Sequence, residues 1–136
     1  MDKPLSHISI FILVLISYLT ILSEGKIVFS PVRHVHIRNN LGDGINLQVH
    51  CKSGDDDLGI HNVTYDEEYQ FQFRENIFGT TLFFCGLVWN GKLHYIDAYD
   101  HDRDNKRCGP NCFWAIDTNQ ACLFNFHTGF KDCSPF

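Results

Sequence analysis

The stretch that decides the fold is Thr81-Leu82-Phe83-Phe84-Cys85-Gly86-Leu87-Val88-Trp89-Asn90-Gly91-Lys92-Leu93-His94-Tyr95. Residues 81–88 are apolar at odd and even positions alike, which predicts a central strand buried on both faces. Asn90-Gly91 favours a two-residue hairpin turn, because both central residues of a type I′ turn need positive φ. The return strand is expected over residues 92–99, so the sequence predicts an antiparallel strand pair here.

Period-two alternation continues on both sides of this pair. Strands are expected near residues 32–39, 45–51, 69–73, 113–116 and 121–126, with turn residues between them. Residues 52–61 and 100–107 are polar enough to be loops, and residues 127–136 are expected to be irregular. About seven short strands predict an all-β, antiparallel β-sandwich. A closed eight-stranded barrel is the alternative.

The first 25 residues have the composition of a secretory signal peptide. Asp2 and Lys3 precede an almost uncharged apolar run over residues 8–22, which is shorter than a typical membrane span. Ser23 and Gly25 place small residues where a signal peptidase would cut after residue 25. We therefore expect a leader (residues 1–25) and one secreted, extracellular domain (residues 26–136), with no membrane insertion after cleavage. A retained signal anchor is the alternative.

Charge and cysteine content narrow the class of protein. The chain has 136 residues and a formal net charge of −5 at pH 7, which disfavours nucleic acid and anionic lipid as partners. All six cysteines follow the leader, as in disulfide-stabilised secreted domains, and their spacing suits zinc less well. Asn62-Val63-Thr64 is an N-glycosylation sequon.

Four ordered motifs carry a family resemblance. They are His50-Cys51-Lys52-Ser53 followed by Asp55-Asp56-Asp57-Leu58-Gly59; Tyr69-x-Phe71-x-Phe73; Asn76-x-Phe78-Gly79-Thr80-Thr81-Leu82-Phe83-Phe84-Cys85 followed by Trp89; and Arg107-Cys108 with Cys112-x-Trp114-x-Ile116. In this order they resemble the plant self-incompatibility S1 family, whose members are called S-protein homologues. The resemblance implies a secreted, non-enzymatic extracellular ligand that a cell-surface protein receptor recognises, as in self-incompatibility signalling between cells.

The cysteine pairing is open on sequence alone. A Cys108–Cys112 bond would close a tiny loop and restrict the unfolded chain little, whereas long-range bonds restrict it more. On that argument we expect Cys51–Cys112, Cys85–Cys108 and Cys122–Cys133.

Two polar segments are the candidates for partner binding, since loops on a rigid scaffold commonly carry recognition. They consist of Asp55, Asp56 and Asp57 in the first segment, and Asp100, His101, Asp102, Arg103 and Asp104 in the second. The three adjacent aspartates could also bind calcium, but calcium loops usually interleave their ligands with other residues. A solvated acidic loop is the simpler interpretation, and Asp57 could bond to backbone amides as a turn residue. We expect no metal and no cofactor.

Two further functions are less favoured. A carbohydrate- or wall-binding module would need an exposed aromatic platform that includes Trp89, whereas Trp114 is expected in the core. A histidine-dependent hydrolase would need a cleft with two of His34, His36, His50 and His94 beside a carboxylate. The common hydrolase motifs do not accompany these histidines, so no catalytic residue is assigned.

Overall fold

The computed structural model describes residues 3–28 and 31–136, with side chains described for residues 7–20 and 31–136. The chain divides into two compact units, residues 1–31 and residues 32–136. The first unit is helix α1 (Lys3–Val28), which contains the predicted apolar run of the leader. Asp2, and the side chains around the predicted cleavage site at Ser23 and Gly25, lie outside the described residues. In the described part of the chain, no helix has the length and apolarity of a membrane span.

The second unit is a two-layered β-sandwich. Its elements in chain order are β1 (Val32–Asn39), β2 (Leu47–Lys52), β3 (Asp57–Val63), β4 (Glu68–Arg74), β5 (Leu82–Trp89), β6 (Lys92–Asp100), α2 (His101–Arg107), β7 (Asn111–Ile116), β8 (Gln120–Asn125) and β9 (Phe130–Pro135). One sheet has the strand order β4-β1-β7-β8-β9 and the other the order β3-β2-β5-β6. All neighbouring strands are antiparallel except the parallel pair β1 and β7. Two open sheets over residues 31–136 confirm the predicted sandwich over the alternative barrel.

The core lies between the sheets, where alternate residues of each strand point inward. β5 supplies Phe83, Cys85, Leu87 and Trp89, and these are covered by inward residues of the opposite sheet such as Ile37. The two layers are also joined by a hydrogen bond, because the Trp114 Nε1 donates to the Ala98 carbonyl oxygen at 2.9 Å. Trp114 is therefore a core residue, as predicted.

The predicted hairpin turn is confirmed. Asn90 has φ of 50° and Gly91 has φ of 73°, and the flanking residues Trp89 and Lys92 pair with each other. Asparagine and glycine tolerate this left-handed backbone with little strain. The turn therefore fixes the register of β5 against β6.

The sequence predicted about seven strands, whereas the described residues 31–136 form nine, so β3 and β9 were not predicted. β3 lies in the polar stretch predicted to be a loop, and as an edge strand it buries few side chains. β9 lies in the tail predicted to be irregular, where it pairs with β8 along its whole length. Both are edge strands, so the apolar alternation that reveals a half-buried strand is weak in them.

The disulfides are Cys51–Cys85, Cys108–Cys112 and Cys122–Cys133. The predicted pairs Cys51–Cys112 and Cys85–Cys108 are wrong, and Cys122–Cys133 is the pair that was expected. Cys51 and Cys85 face each other on the adjacent strands β2 and β5, and Cys122 faces Cys133 on β8 and β9. Neighbouring strands bring these sulfurs together, so the strand order decides the pairing and the loop length does not.

The loop lengths still predict how much each bond stabilises the fold. Cys51–Cys85 closes 34 residues and Cys108–Cys112 closes 4. Chain-entropy arguments assign about 4 kcal/mol to the longer loop and about 2 kcal/mol to the shorter one. In guanidinium unfolding, Cys51→Ala/Cys85→Ala should therefore lose about twice the free energy of unfolding that the matched control Cys108→Ala/Cys112→Ala loses. Equal losses, or the reverse order, would contradict this ranking.

Candidate functional site

Both candidate segments lie at one end of the sandwich, which we call the loop end. It consists of residues 53–56 between β2 and β3, residues 75–81 between β4 and β5, and α2. The loops at residues 53–56 and 75–81 line a shared groove of about 610 Å³. The His101 backbone N–H donates to the Thr81 carbonyl oxygen at 3.1 Å, which ties α2 to the second of these loops. Segments far apart in sequence thus form one continuous surface.

A buried carboxylate organises this end. Glu75 is only 4% exposed and follows directly after β4. Its Oε2 accepts from the Arg33 Nη2 at 3.2 Å, its Oε1 lies 2.9 Å from the His101 Nδ1, and the Tyr99 hydroxyl donates to the same oxygen. One side chain therefore joins β1, β4, β6 and α2.

Electrostatics keep Glu75 ionised. Burial alone would raise the pKa of Glu75, but hydrogen bonds from Tyr99 and His101 and the charge of Arg33 outweigh it and hold the pKa below the ordinary 4.5. Burial and the hydrogen bond to Glu75 raise the pKa of Tyr99. Tyr99 therefore remains a phenol that donates its proton to the carboxylate.

The loop at residues 75–81 exposes two large apolar side chains at its tip. Ile77 is 71% exposed and Phe78 is 81% exposed. The side chain of Asn76 closes the loop beneath them, because its Oδ1 accepts from the backbone N–H of Phe78 at 3.2 Å and of Thr80 at 3.0 Å. The Asn76 Nδ2 also donates to the Thr80 Oγ1 at 2.9 Å. The tip is therefore a hydrogen-bonded turn that displays Ile77 and Phe78.

Gly79 lets the tip pack against α2. Its φ is +67°, and a Cβ built there would lie 3.1 Å from the Nε2 of His101. A larger residue would meet both backbone strain and the imidazole ring. Since Glu75 holds that ring from the other side, the carboxylate positions the tip through His101.

The three aspartates of the first candidate segment, Asp55, Asp56 and Asp57, have two different roles. Asp55 and Asp56 are exposed and line the groove. The carboxylate of Asp57 instead accepts from the Gly59 backbone N–H at 2.9 Å and lies 2.6 Å from the His50 Nε2. The hydrogen bond from Gly59 has the larger effect and that from His50 the smaller, and together they hold the pKa of Asp57 below its usual range. Asp57 therefore shapes the start of β3, in the turn role that the sequence suggested. In the described residues, no group of three or more metal-ligating side chains is assembled.

The second segment is a helix rather than the predicted loop. Asp100 caps α2 by accepting from the Asp102 backbone N–H at 3.1 Å. Asp104 is fully buried, where it pairs with Arg103 at 2.6 Å and Arg107 at 3.0 Å. Asp104 was expected to contact a partner, and that expectation is wrong because its side chain faces inward. Asp102 is the exposed acidic side chain that the helix contributes to the loop end.

The remaining candidates lie in strands: His34 and His36 in β1, His50 in β2, Trp89 in β5 and His94 in β6. Trp89 is 7% exposed and stacks on His94 with ring centroids 4.3 Å apart, so the platform that a wall-binding module would build on Trp89 is not formed. His36 bonds to Glu68 and Asn111 through its two ring nitrogens, at 3.2 and 3.4 Å, on the outer face of the five-stranded sheet. His50 belongs to the other sheet. The described contacts thus give His36, His50 and His94 packing or pairing roles on separate faces.

Comparison with known proteins identifies the family. The model of the plant self-incompatibility protein S1 family matches residues 34–134. The chain belongs to this family. S-protein homolog 3 of Arabidopsis thaliana is 39% identical over 119 residues, which cover 85% of this chain and 79% of that protein. Self-incompatibility protein S1 of Papaver rhoeas is 37% identical over 108 residues, which cover 78% and 76%.

The fold agrees with a solved structure of the same family. A self-incompatibility protein homologue, described as one of a widespread family of small, highly stable, secreted plant proteins, superimposes with a TM-score of 0.59 at 20% identity. The match covers 79% of this chain and 93% of that chain. This S1-family protein is accordingly a small secreted β-sandwich protein, and the resemblance inferred from the motifs is confirmed.

The family motifs contain the loop tip but did not reveal its role. Ile77 and Phe78 fall between two predicted strands, and two large apolar residues in such a connection are a signal of an exposed apolar site. The sequence does not indicate that Glu75 is buried, because a single glutamate after a strand is usually solvated. Its role depends on Arg33, Tyr99 and His101, which are distant in sequence.

Glu75→Gln tests the buried carboxylate. Removing the charge leaves Arg33 without its buried partner, so we expect a loss of about 3 kcal/mol in the free energy of unfolding at pH 7. Because the folded-state pKa of Glu75 is below its ordinary 4.5, this stabilisation is present above pH 4.5 and is lost as pH falls through the folded-state pKa. The difference between wild type and variant should therefore shrink in acid.

The matched control is Glu67→Gln, an exposed glutamate at the other end of β4. Urea unfolding at a series of pH values should show little change for the control. If the free energies of unfolding of wild type and Glu75→Gln differ by the same amount at neutral and acid pH, Glu75 is not the ionised buried carboxylate described here.

Proposed function

We propose that this protein is a non-enzymatic extracellular ligand, recognised by a cell-surface protein that contacts the loop end. The observation that carries the proposal is the display of Ile77 and Phe78, at 71% and 81% exposure, on a turn fixed by Asn76. Adjacent large apolar side chains that are both exposed commonly mark a protein-binding site. A fixed turn also lowers the conformational entropy that binding has to overcome.

The surroundings of the tip indicate the chemistry of the partner. Asp55 and Asp56 lie on one side of the loop and Asp102 lies on α2. An apolar centre with charged residues at its rim is the usual arrangement of a protein-binding site. The partner should therefore offer an apolar pocket for Phe78 with basic side chains around it.

Secretion requires that the leader is removed, and we propose cleavage after Gly25. The protein recovered from the medium of plant cells should then begin at Lys26. Intact mass and N-terminal sequencing of the secreted protein measure this directly. A protein that keeps residues 1–25 and stays with the membrane fraction would support the signal-anchor alternative instead.

Ile77→Ser/Phe78→Ser tests the tip as the recognition element. The variant removes the apolar anchors but leaves Asn76, Gly79 and Glu75 in place, so the fold should be unchanged. Labelled protein should bind plant protoplasts saturably, and loss of two central anchors should weaken this binding by about 30-fold or more. The measurement is a competition curve against unlabelled wild type.

Two controls make the result specific. Tyr65→Ser removes an exposed aromatic residue, 44% exposed, between β3 and β4 at the opposite end of the sandwich. This variant should bind like wild type. Protease treatment of the protoplast surface should abolish binding if the receptor is a protein. Equal binding by all three proteins, or binding that survives protease treatment, would contradict the proposal.

A further inference from the structure

The outer face of the four-stranded sheet carries a second apolar surface that the loop end does not use. Its exposed large apolar residues are Ile60, Leu82, Phe84, Leu93 and Tyr95. Several of them line a shallow groove of about 340 Å³ together with the polar side chains of Gln48, His50 and Lys52. We call this surface the outer groove. Apolar walls with a few polar groups are typical of small-ligand sites rather than of a solvated sheet face.

Gly86 forms the floor of the outer groove. A Cβ at this position would lie 3.4 Å from the Leu93 Cδ1 and 3.7 Å from the Tyr95 Cε1. These are ordinary van der Waals contacts, so the chain tolerates a side chain here but has none. Leu93 and Tyr95 thus border an open depression, and Tyr95 is 66% exposed.

The sequon asparagine lies beside this groove, on the strand next to the groove residue Gln48. Strand pairing places Asn62 opposite Gln48, Gln48 opposite Val88, and Val88 opposite Leu93, in one row across the sheet. Asn62 is exposed while its neighbour Val63 is buried, so the amide points to the outer face. β3 is an edge strand, which leaves Asn62 accessible to a transferase.

We infer that Asn62 carries an N-linked glycan and that this glycan lies across the outer groove against Tyr95 and Leu93. In the transfer, the Asn62 amide nitrogen bonds to the anomeric carbon of a polyisoprenyl-diphosphate oligosaccharide. The bond from that carbon to the diphosphate oxygen breaks, the diphosphate leaves, and the amide loses a proton. The inference rests on secretion of the chain but not on the receptor.

Distance and chemistry favour this occupant. Asn62 and Leu93 are three strands apart, about 14 Å at the usual strand spacing. Each sugar ring with its linkage is about as long as one strand spacing, so the first three rings span the groove. The C–H face of a sugar stacks on an aromatic face such as that of Tyr95. Gln48 and His50 can bond to its hydroxyl and acetamido groups.

The test uses full-length protein secreted from plant cells. Wild type and Thr64→Ser should both carry the glycan by intact mass, and Thr64→Ala should not. In wild type, NMR should show contacts between sugar protons and the Tyr95 ring. Tyr95→Ser and Gly86→Val should both keep the glycan, and Gly86→Val, which retains the Tyr95 ring, should lose these contacts. Glycosidase should then release it from the native protein about fivefold faster, as expected when an aromatic stacking contact is lost.

Several results would overturn the inference. Secreted wild-type protein without a glycan at Asn62 removes its basis. Equal glycosidase rates in wild type, Tyr95→Ser and Gly86→Val, with no sugar contact at Tyr95, would show that the glycan projects into solvent. A glycosylated protein that forms dimers lost in Tyr95→Ser would assign the groove to a second copy. Equal binding of free oligosaccharide by wild type and Thr64→Ala would assign it to an external sugar. None of these outcomes tests the proposed receptor binding through Phe78.

Discussion

The loop end depends on one buried carboxylate. Glu75 receives hydrogen bonds from Tyr99, His101 and Arg33, and these residues belong to three different elements. Burying a charge is unfavourable unless it is paired and hydrogen-bonded, and these three donors satisfy that condition. Because Glu75 is followed directly by the loop that carries Ile77 and Phe78, satisfying this charge also fixes where the loop begins.

The disulfides stabilise the sheets on which these loops lie. Cys51–Cys85 ties the two central strands of one sheet, and Cys122–Cys133 ties the edge of the other. They stabilise the scaffold as a whole, as is common in small extracellular domains. Glu75, Asn76 and Asp104 then determine how the loops are arranged on that scaffold. The disulfides thus stabilise the scaffold, whereas Glu75 both stabilises the fold and fixes where the loop at residues 75–81 begins.

The molecule therefore has two surfaces of different chemistry. The loop end combines an apolar tip with acidic side chains, which suits a protein partner. The outer groove combines Tyr95 and Leu93 with amide and imidazole groups, which suits a sugar. A glycan held on the sheet face would shield exposed apolar area without reaching the Phe78 tip. In this proposal the glycan covers the sheet face, and the loop end stays free for the proposed receptor.

Local features were predictable from the sequence, and features set by strand order were not. The Asn90-Gly91 turn and the core position of Trp114 depend on neighbouring residues and were predicted. The pairing of Cys51 with Cys85 depends on β2 lying beside β5, which no local pattern reveals. The burial of Asp104 depends on α2, whose polar sequence resembles a loop until Arg103 and Arg107 are seen around the carboxylate.

The most direct measurement of the central claim is the backbone order of the loop tip in the free protein. ¹⁵N relaxation gives order parameters for Ile77, Phe78 and Gly79 on the picosecond to nanosecond timescale. If Glu75 and Asn76 hold the tip as described, these values should be about 0.85, as for rigid backbone in the strands. Values below about 0.6 would show a flexible tip and would contradict the account.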